Sequence, residues 1–173
     1  MARRHHWTYL QSVSQRAEVI SEGVNVTERA TRRRLLRLQQ ELEVKPYWRL
    51  LGVGAEQIDE GYARLRMPLA AEVRNSASGG TAHGGALASL VDMAVGTALD
   101  SLDLPDMAGR ATIELSVTYL EAAEGEAIIA QGRMLRVGRS VAVGEAELRD
   151  VGGRLVAKGR ATYTVRRRPA SQS

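Results

Sequence analysis

The stretch His83-Gly84-Gly85-Ala86-Leu87-Ala88-Ser89-Leu90-Val91-Asp92-Met93-Ala94-Val95-Gly96-Thr97-Ala98-Leu99 decides how this chain folds. It has the length of a helix and is apolar nearly all round, and a helix of that kind is buried on every side. Something must wrap it. Downstream, Ile113, Leu115, Val117 and Tyr119 alternate with Thr112, Glu114, Ser116 and Thr118 across 111–120. Gly125 makes a turn into 126–137, Gly138 starts a turn into 140–149, and Asp150-Val151-Gly152-Gly153 signals a hairpin. Then Leu155, Ala157, Gly159, Ala161, Tyr163 and Val165 alternate with Val156, Lys158, Arg160, Thr162 and Thr164. Four successive strands with short turns predict an antiparallel meander. Upstream, two strand signals at 53–59 and 61–68 flank Gly61, and 70–82 reads as a loop. The fold class is therefore α+β: an antiparallel sheet of about six strands wrapped around one long buried helix. Such an open sheet has exposed edges, and pairing with a second copy is a natural way to cover them.

The rest of the 173-residue chain bounds the function. With no Cys there is no disulfide, no thiolate nucleophile and no Cys zinc site. No run of 18 apolar residues exists, so no transmembrane span is expected, and Arg3 and Arg4 are not followed by the apolar region of a secretory signal. A cytoplasmic location is the default. The net charge of +4 is unevenly placed: residues 1–45 carry +4, residues 46–165 carry −3, and Arg166, Arg167 and Arg168 add +3. The body is mildly acidic, which disfavours nucleic-acid binding by it, since phosphate affinity needs clustered cations. Residues 1–45 form a basic extension, partly helical: Thr27 is placed to cap a helix whose stripe is Leu35, Leu38 and Leu42. Pro46 marks a boundary, with a short helical turn through Trp48 and Leu51, and 167–173 is a basic tail.

Chemistry has few places to sit. Asp92 is the sole charge between His83 and Leu99. A carboxylate on a buried helix must be paired, hydrogen-bonded or beside a solvent-filled crevice. It is either a general base, or half of a structural ion pair with a strand Arg, or a group beside a crevice with no catalytic part. His83 caps the helix or meets a ligand. Gly84 and Gly85 either relieve crowding or let a substrate approach backbone N–H groups at the positive end of the helix, where an oxyanion can be held. Asp92 lies nine residues after His83, half a turn out of phase and roughly 13 Å along the helix. One chain cannot bring both ends to one small reacting centre. If both act, they act across a subunit interface, each of two equivalent sites borrowing from both chains. A His-rich metal site, a G-x-S-x-G elbow, a Walker A sequence and a dinucleotide fingerprint are all absent from the sequence.

The segment from His83 to Ala94 resembles the HGG-x(6)-D-x-A signature of hotdog-fold acyl-CoA thioesterases of the phenylacetic-acid-degradation type. The resemblance runs over about 46–166: Pro46-Tyr47-Trp48-Arg49-Leu50-Leu51-Gly52 with Gly61 to Pro68, then Thr112 to Leu120, Gly138-Arg139-Ser140 and Gly159-Arg160-Ala161. It implies a hotdog domain over 46–166, a homodimer or homotetramer, no cofactor, and hydrolysis of acyl-CoA thioesters to free acid and CoA. Carried over by position, Asp92 activates water or attacks the thioester directly. The Gly84 N–H polarises the thioester carbonyl, with Gly85 beside it, and His83 positions substrate near sulfur. Thr112 falls where the family has a Ser or Thr that orients water. Gly138, Arg139 and Ser140 fall on the segment that meets the CoA phosphates, where Arg suits an anion. The family's Asn, six residues before the His, is replaced by Ala77; Asn75 is the nearest, and it reaches the site if the loop bulges. Residues 1–45 are not covered by the resemblance. The alternative is an acyl-CoA-binding regulatory module on the same fold, with a basic N-terminal arm for nucleic acid or a partner; Asp92 and the glycine pair favour catalysis, since binding alone needs neither.

Overall fold

A computed structural model describes residues 26–76 and 80–169. Ala77, most of residues 1–45 before the first helix and the last four residues lie outside the described part. Helix α1 spans Val26–Glu43, and the division between two compact units falls inside it, between Leu36 and Arg37. Thr27 is not its cap: the helix already includes Val26, which puts Thr27 in the first turn. In the second unit Leu38 packs against the core, Leu42 is fully buried, and the Gln39 amide donates to the Ala55 carbonyl at 3.0 Å.

Helix α2 (Pro46–Leu51) follows at the proline, which sits at its first position and needs no N–H there. Strands β1 (Gly54–Asp59) and β2 (Tyr62–Pro68) form a hairpin over Gly61, which takes the left-handed backbone conformation the turn requires. Ala63, Leu65 and Met67 point inward as their alternation predicts, and all three are inaccessible to solvent. Helix α3 (Gly84–Asp100) is the apolar stretch, with eleven of its 17 residues buried. Strands β3 (Met107–Tyr119), β4 (Ala127–Val137), β5 (Val141–Asp150) and β6 (Leu155–Arg167) complete a six-stranded antiparallel sheet.

The strand order is β1-β2-β4-β5-β6-β3, which corrects the four-strand meander. Of the four strands after the helix, only β4, β5 and β6 follow one another in space. β4 pairs with β2, and β3 crosses to the far edge to pair with β6. The physical reason is the helix between β2 and β3: the chain leaves β2, traverses the whole sheet in α3, and returns on the opposite edge. Small inward residues bring the helix close. A Cβ at Gly132 would lie 2.5 Å from the Ala94 backbone, one at Gly144 2.5 Å from Val95, and one at Gly159 2.7 Å from Val91. Ala130, Ala142, Ala146, Ala157 and Ala161 fill the remaining inner positions, all inaccessible. A core without Phe, in which Trp48 and Tyr163 are the buried rings among the described residues, is thus packed largely by close approach of backbones.

A second correction concerns β3. Its register against β6 shifts between Thr112 and Glu114, a bulge at Ile113. On the N-terminal side Arg110 and Thr112 lie opposite the inward Val165 and Tyr163; beyond it Leu115, Val117 and Tyr119 lie opposite the inward Ala161, Gly159 and Ala157. The inward set therefore changes parity in mid-strand. Ile113, read as part of the apolar face, is 60% exposed instead.

Candidate active site

Strand β3 runs along α3 and touches it at three places. The Tyr119 hydroxyl donates to the Gly84 carbonyl at 2.9 Å, Thr112 Oγ1 donates to Asp92 Oδ1 at 2.8 Å, and Arg110 reaches Asp100. Each contact is made by a residue that the bulge has turned toward the helix.

Asp92 is half-buried. Its Oδ1 accepts two hydrogen bonds, from Thr112 and from the Tyr163 hydroxyl at 2.7 Å. That hydroxyl also lies 2.8 Å from the Asp92 carbonyl oxygen. Among the described residues no donor reaches Oδ2. Burial, reinforced by the charge of Asp92, pushes the Tyr163 phenol far above its ordinary value, so it stays protonated and donates. The ion-pair alternative for Asp92 is not what forms. The strand arginine, Arg110, goes to Asp100 instead, through Nε to Oδ1 at 2.7 Å and Nη2 to Oδ2 at 2.8 Å. Burial works against its charge, but the hydrogen bond to Asp100 together with the electrostatic pull of Asp100, Tyr163 and Asp92 outweighs this and holds the guanidinium above its usual value. Its carbon stands 4.9 Å from the centre of the Tyr163 ring.

The carboxylate opens on a cavity of about 620 Å³. Leu42, Pro46, Trp48, Met93 and Leu115 supply apolar wall, and Lys45, Tyr47, Ser89, Arg110 and Thr112 its polar groups. The Tyr47 hydroxyl donates to Ser89 Oγ at 2.7 Å, which in turn donates to the Gly85 carbonyl at 2.9 Å.

At the helix tip, His83 is the N-cap: its Nδ1 accepts the Gly85 N–H at 3.0 Å. The neutral ring then carries its proton on Nε2, as a donor facing away from the helix. A Cβ at Gly85 would stand 2.9 Å from that Nδ1, so glycine there lets the ring fold back. The Gly85 N–H is thereby spent, while the Gly84 N–H has no acceptor among the described residues. The loop before it is held by Arg74, which donates to the carbonyls of Leu69 and Gly125 at 2.8 Å each and to that of Gly80. Asn75 is bound within this loop, to Thr81 Oγ1 at 2.9 Å and the Ala82 carbonyl at 3.3 Å. At the β4–β5 turn Arg139 and Ser140 are exposed, and Arg167 fixes the turn by donating to the carbonyls of Gly138 and Arg139 at 3.1 and 3.0 Å. The chain thus brings Asp92 and Thr112 together and His83, Gly84 and Gly85 together, as two separate groups. Tyr163, Arg110, Asp100 and Tyr119 escape the sequence reading. One signal was available: a tyrosine at an inward position of a core that uses no Phe must satisfy its hydroxyl there.

A curved antiparallel sheet about one central helix defines the hotdog class of domain. The thioesterase superfamily profile matches residues 79–157, from the loop through α3 to β6. The chain is 30% identical over 132 residues to the medium/long-chain acyl-CoA thioesterase YigI of Escherichia coli, covering 69% of this chain and 85% of that one. The structure of conserved protein PA5202 from Pseudomonas aeruginosa superposes with a TM-score of 0.66 at 35% identity, covering 73% of this chain and 98% of that one. The PaaI protein of the Escherichia coli phenylacetic acid degradation operon superposes with a TM-score of 0.68 at 20% identity, over 78% and 94% of the two chains, and shares the fold. The chain belongs to the thioesterase superfamily, and hydrolysis of thioesters is its general activity. Among the described residues no helix is long and apolar enough to cross a membrane, and no His/Asp/Glu group is arranged to hold a metal ion.

Proposed function

We propose that the protein hydrolyses acyl-CoA thioesters, with Asp92 as general base toward water. The observation that carries this reading is the Asp92 carboxylate: one oxygen saturated by two neutral donors, the other without a donor, beside a largely apolar cavity. Asp92 takes a proton from water while the water oxygen bonds to the thioester carbon. The oxyanion is held by the Gly84 N–H at the tip of a second copy's helix, with His83 Nε2–H near the sulfur. The oxyanion then re-forms the carbonyl as the C–S bond breaks, and the sulfur takes the proton that Asp92 gained, so that CoA leaves as the thiol and Asp92 returns to the carboxylate. Thr112 orients the base, and the water with it. Arg139 and Ser140, on the exposed β4–β5 turn, meet the CoA phosphates. Gly138 lets that turn close. Gly85 shapes the tip, and Asn75 holds the loop that delivers His83.

The second copy is required by distance within one chain, since Gly84 and Asp92 stand eight residues apart on one helix, roughly 12 Å. Strand β3 supports it: a 13-residue edge with Leu115 38% and Tyr119 51% exposed is a template for pairing. We therefore read the working unit as a homodimer, alone or within a homotetramer, acting in the cytoplasm on soluble substrate. The test is hydrolysis of short, long and aryl acyl-CoAs followed by thiol release. Asp92→Asn keeps the shape and an acceptor for Thr112 and Tyr163, so it folds and self-associates like the parent, while turnover falls by about 100-fold or more. Near-parental rates for Asp92→Asn across the panel would refute the assignment.

A further inference from the structure

We propose that Tyr163 is a positioning residue for this hydrolysis: it locks the Asp92 carboxylate through Oδ1, its ring steadied by the Arg110–Asp100 pair, so that Oδ2 is the oxygen presented to water. The inference rests on the reading of Asp92 as the base, and concerns how that base is aimed.

Three independent features of geometry converge on it. The first is the hydroxyl itself. Tyr163 is inaccessible to solvent, and its single proton faces both Asp92 Oδ1 and the Asp92 carbonyl, at 2.7 and 2.8 Å. A hydroxyl held between the side chain and the main chain of one residue fixes that side chain's torsion angles. The second is the pairing of donors. Thr112 and Tyr163 face each other across β3 and β6 and bind the same oxygen. A carboxylate gripped at one oxygen from two strands cannot rotate, and its other oxygen has a fixed direction.

The third is the arginine. Asp92, Gly96 and Asp100 recur every four residues and share one face of α3. A Cβ at Gly96 would stand 2.6 Å from Arg110 Nη2, so glycine there lets the guanidinium lie flat across the helix. From that place it covers the Tyr163 ring and gives both forks to Asp100. The cation is thus close enough to steady the phenol, while its hydrogen bonds are committed away from Asp92. The hydrogen bonds to the Asp92 carboxylate come from neutral donors alone. The other titratable groups facing this space are Lys45 and Tyr47, across the cavity.

The experiment is the pH dependence of kcat and kcat/KM for Tyr163→Phe, and for full-length protein carrying 3-fluorotyrosine at position 163. Removing a donor from a carboxylate destabilises its anion, so Tyr163→Phe moves the acid limb to higher pH, and kcat falls roughly tenfold or more with KM nearly unchanged. The fluorinated phenol has the same size and is a stronger donor, so its acid limb moves the opposite way. Opposite movements support the proposal. A fall in kcat with an unmoved acid limb assigns Tyr163 a packing role and overturns it. If Tyr163→Phe does not fold, the fluorinated protein decides alone, and an unmoved limb there overturns it equally. Should Asp92→Asn retain activity, the base reading itself fails; an inactive Asp92→Asn with an unmoved Tyr163→Phe profile sinks the positioning role only.

Discussion

Gly96 shows at the residue scale how a hydrogen atom can serve a site two turns wide. Alanine is the better helix former by about 1 kcal/mol, so Gly96→Ala gains from propensity alone. The added methyl must displace the Arg110 guanidinium, whose atoms would stand 2.6 to 2.9 Å away. Displacement breaks a charged pair that is only about one-fifth exposed at each partner, a loss of roughly 1.5–3 kcal/mol. The loss exceeds the gain. Gly96→Ala should unfold at a lower temperature, by about 1 kcal/mol of stability, and lose several-fold in kcat because Tyr163 loses its support. Calorimetry and acyl-CoA turnover read the two effects separately. A stabilised variant with full activity would show that Arg110 relaxes freely. At this scale the sequence was half legible. Asp92 stood out because a charge in an apolar helix is costly, and His83 with Gly84 because they sit at its tip. Tyr163 is legible only as an inward tyrosine whose hydroxyl needs a partner, and Arg110 not at all, because a tyrosine and an arginine on alternating strands carry no mark of which polar group they meet.

Among the elements, β3 carries the most information per residue. A strand of fixed period two can present Arg110 and Thr112 to the helix, or Leu115, Val117 and Tyr119, but not both sets. The bulge at Ile113 resolves the conflict by shifting parity once. The sequence shows an unbroken alternation of 111–120, and nothing in it marks the extra residue; the bulge exists because α3 demands polar partners at its C-terminal half and apolar ones near its start. The same non-local demand explains why the strands are legible in the sequence and their order is not: periodicity is local, and pairing is set by where the helix delivers the chain. Deleting Ile113 is the direct test. Without the extra residue Thr112 adjoins Glu114, and Arg110, Thr112, Leu115, Val117 and Tyr119 all fall on the inward face in plain alternation, so the Thr112–Asp92 contact survives and turnover should stay within several-fold of the parent. The far-ultraviolet signature of the sheet should persist, since β3 lies at the edge. A fall in turnover as deep as that of Thr112→Val would mean that the extra residue does more than shift the parity of the strand.

At the scale of the whole molecule, one distance decides how a site can be assembled. The helix tip and the carboxylate belong to the same rigid element, so no motion within one chain brings them to one carbonyl carbon. A variant that removes only the backbone donor makes this measurable. Gly84 is the first residue of the helix, where proline is tolerated because that N–H is not used within the helix. His83, at φ −67° and ψ 134°, already has the conformation that a following proline imposes. Gly84→Pro therefore deletes the amide with little change to the fold, and turnover should fall roughly 100-fold or more, as for loss of an oxyanion donor. Asp92→Asn and Gly84→Pro are then each nearly inactive. Refolded together, they form mixed dimers in which one site takes Asp92 from the Gly84→Pro chain and the intact Gly84 N–H from its partner. Random pairing makes half the dimers mixed, each with one working site of two, so activity should return to about a quarter of the parental level. Sites built within single chains would give no recovery at all, because every site would then keep its own lesion. Recovery that rises with the extent of subunit exchange, and vanishes when exchange is blocked before mixing, ties the reaction to the interface rather than to either chain.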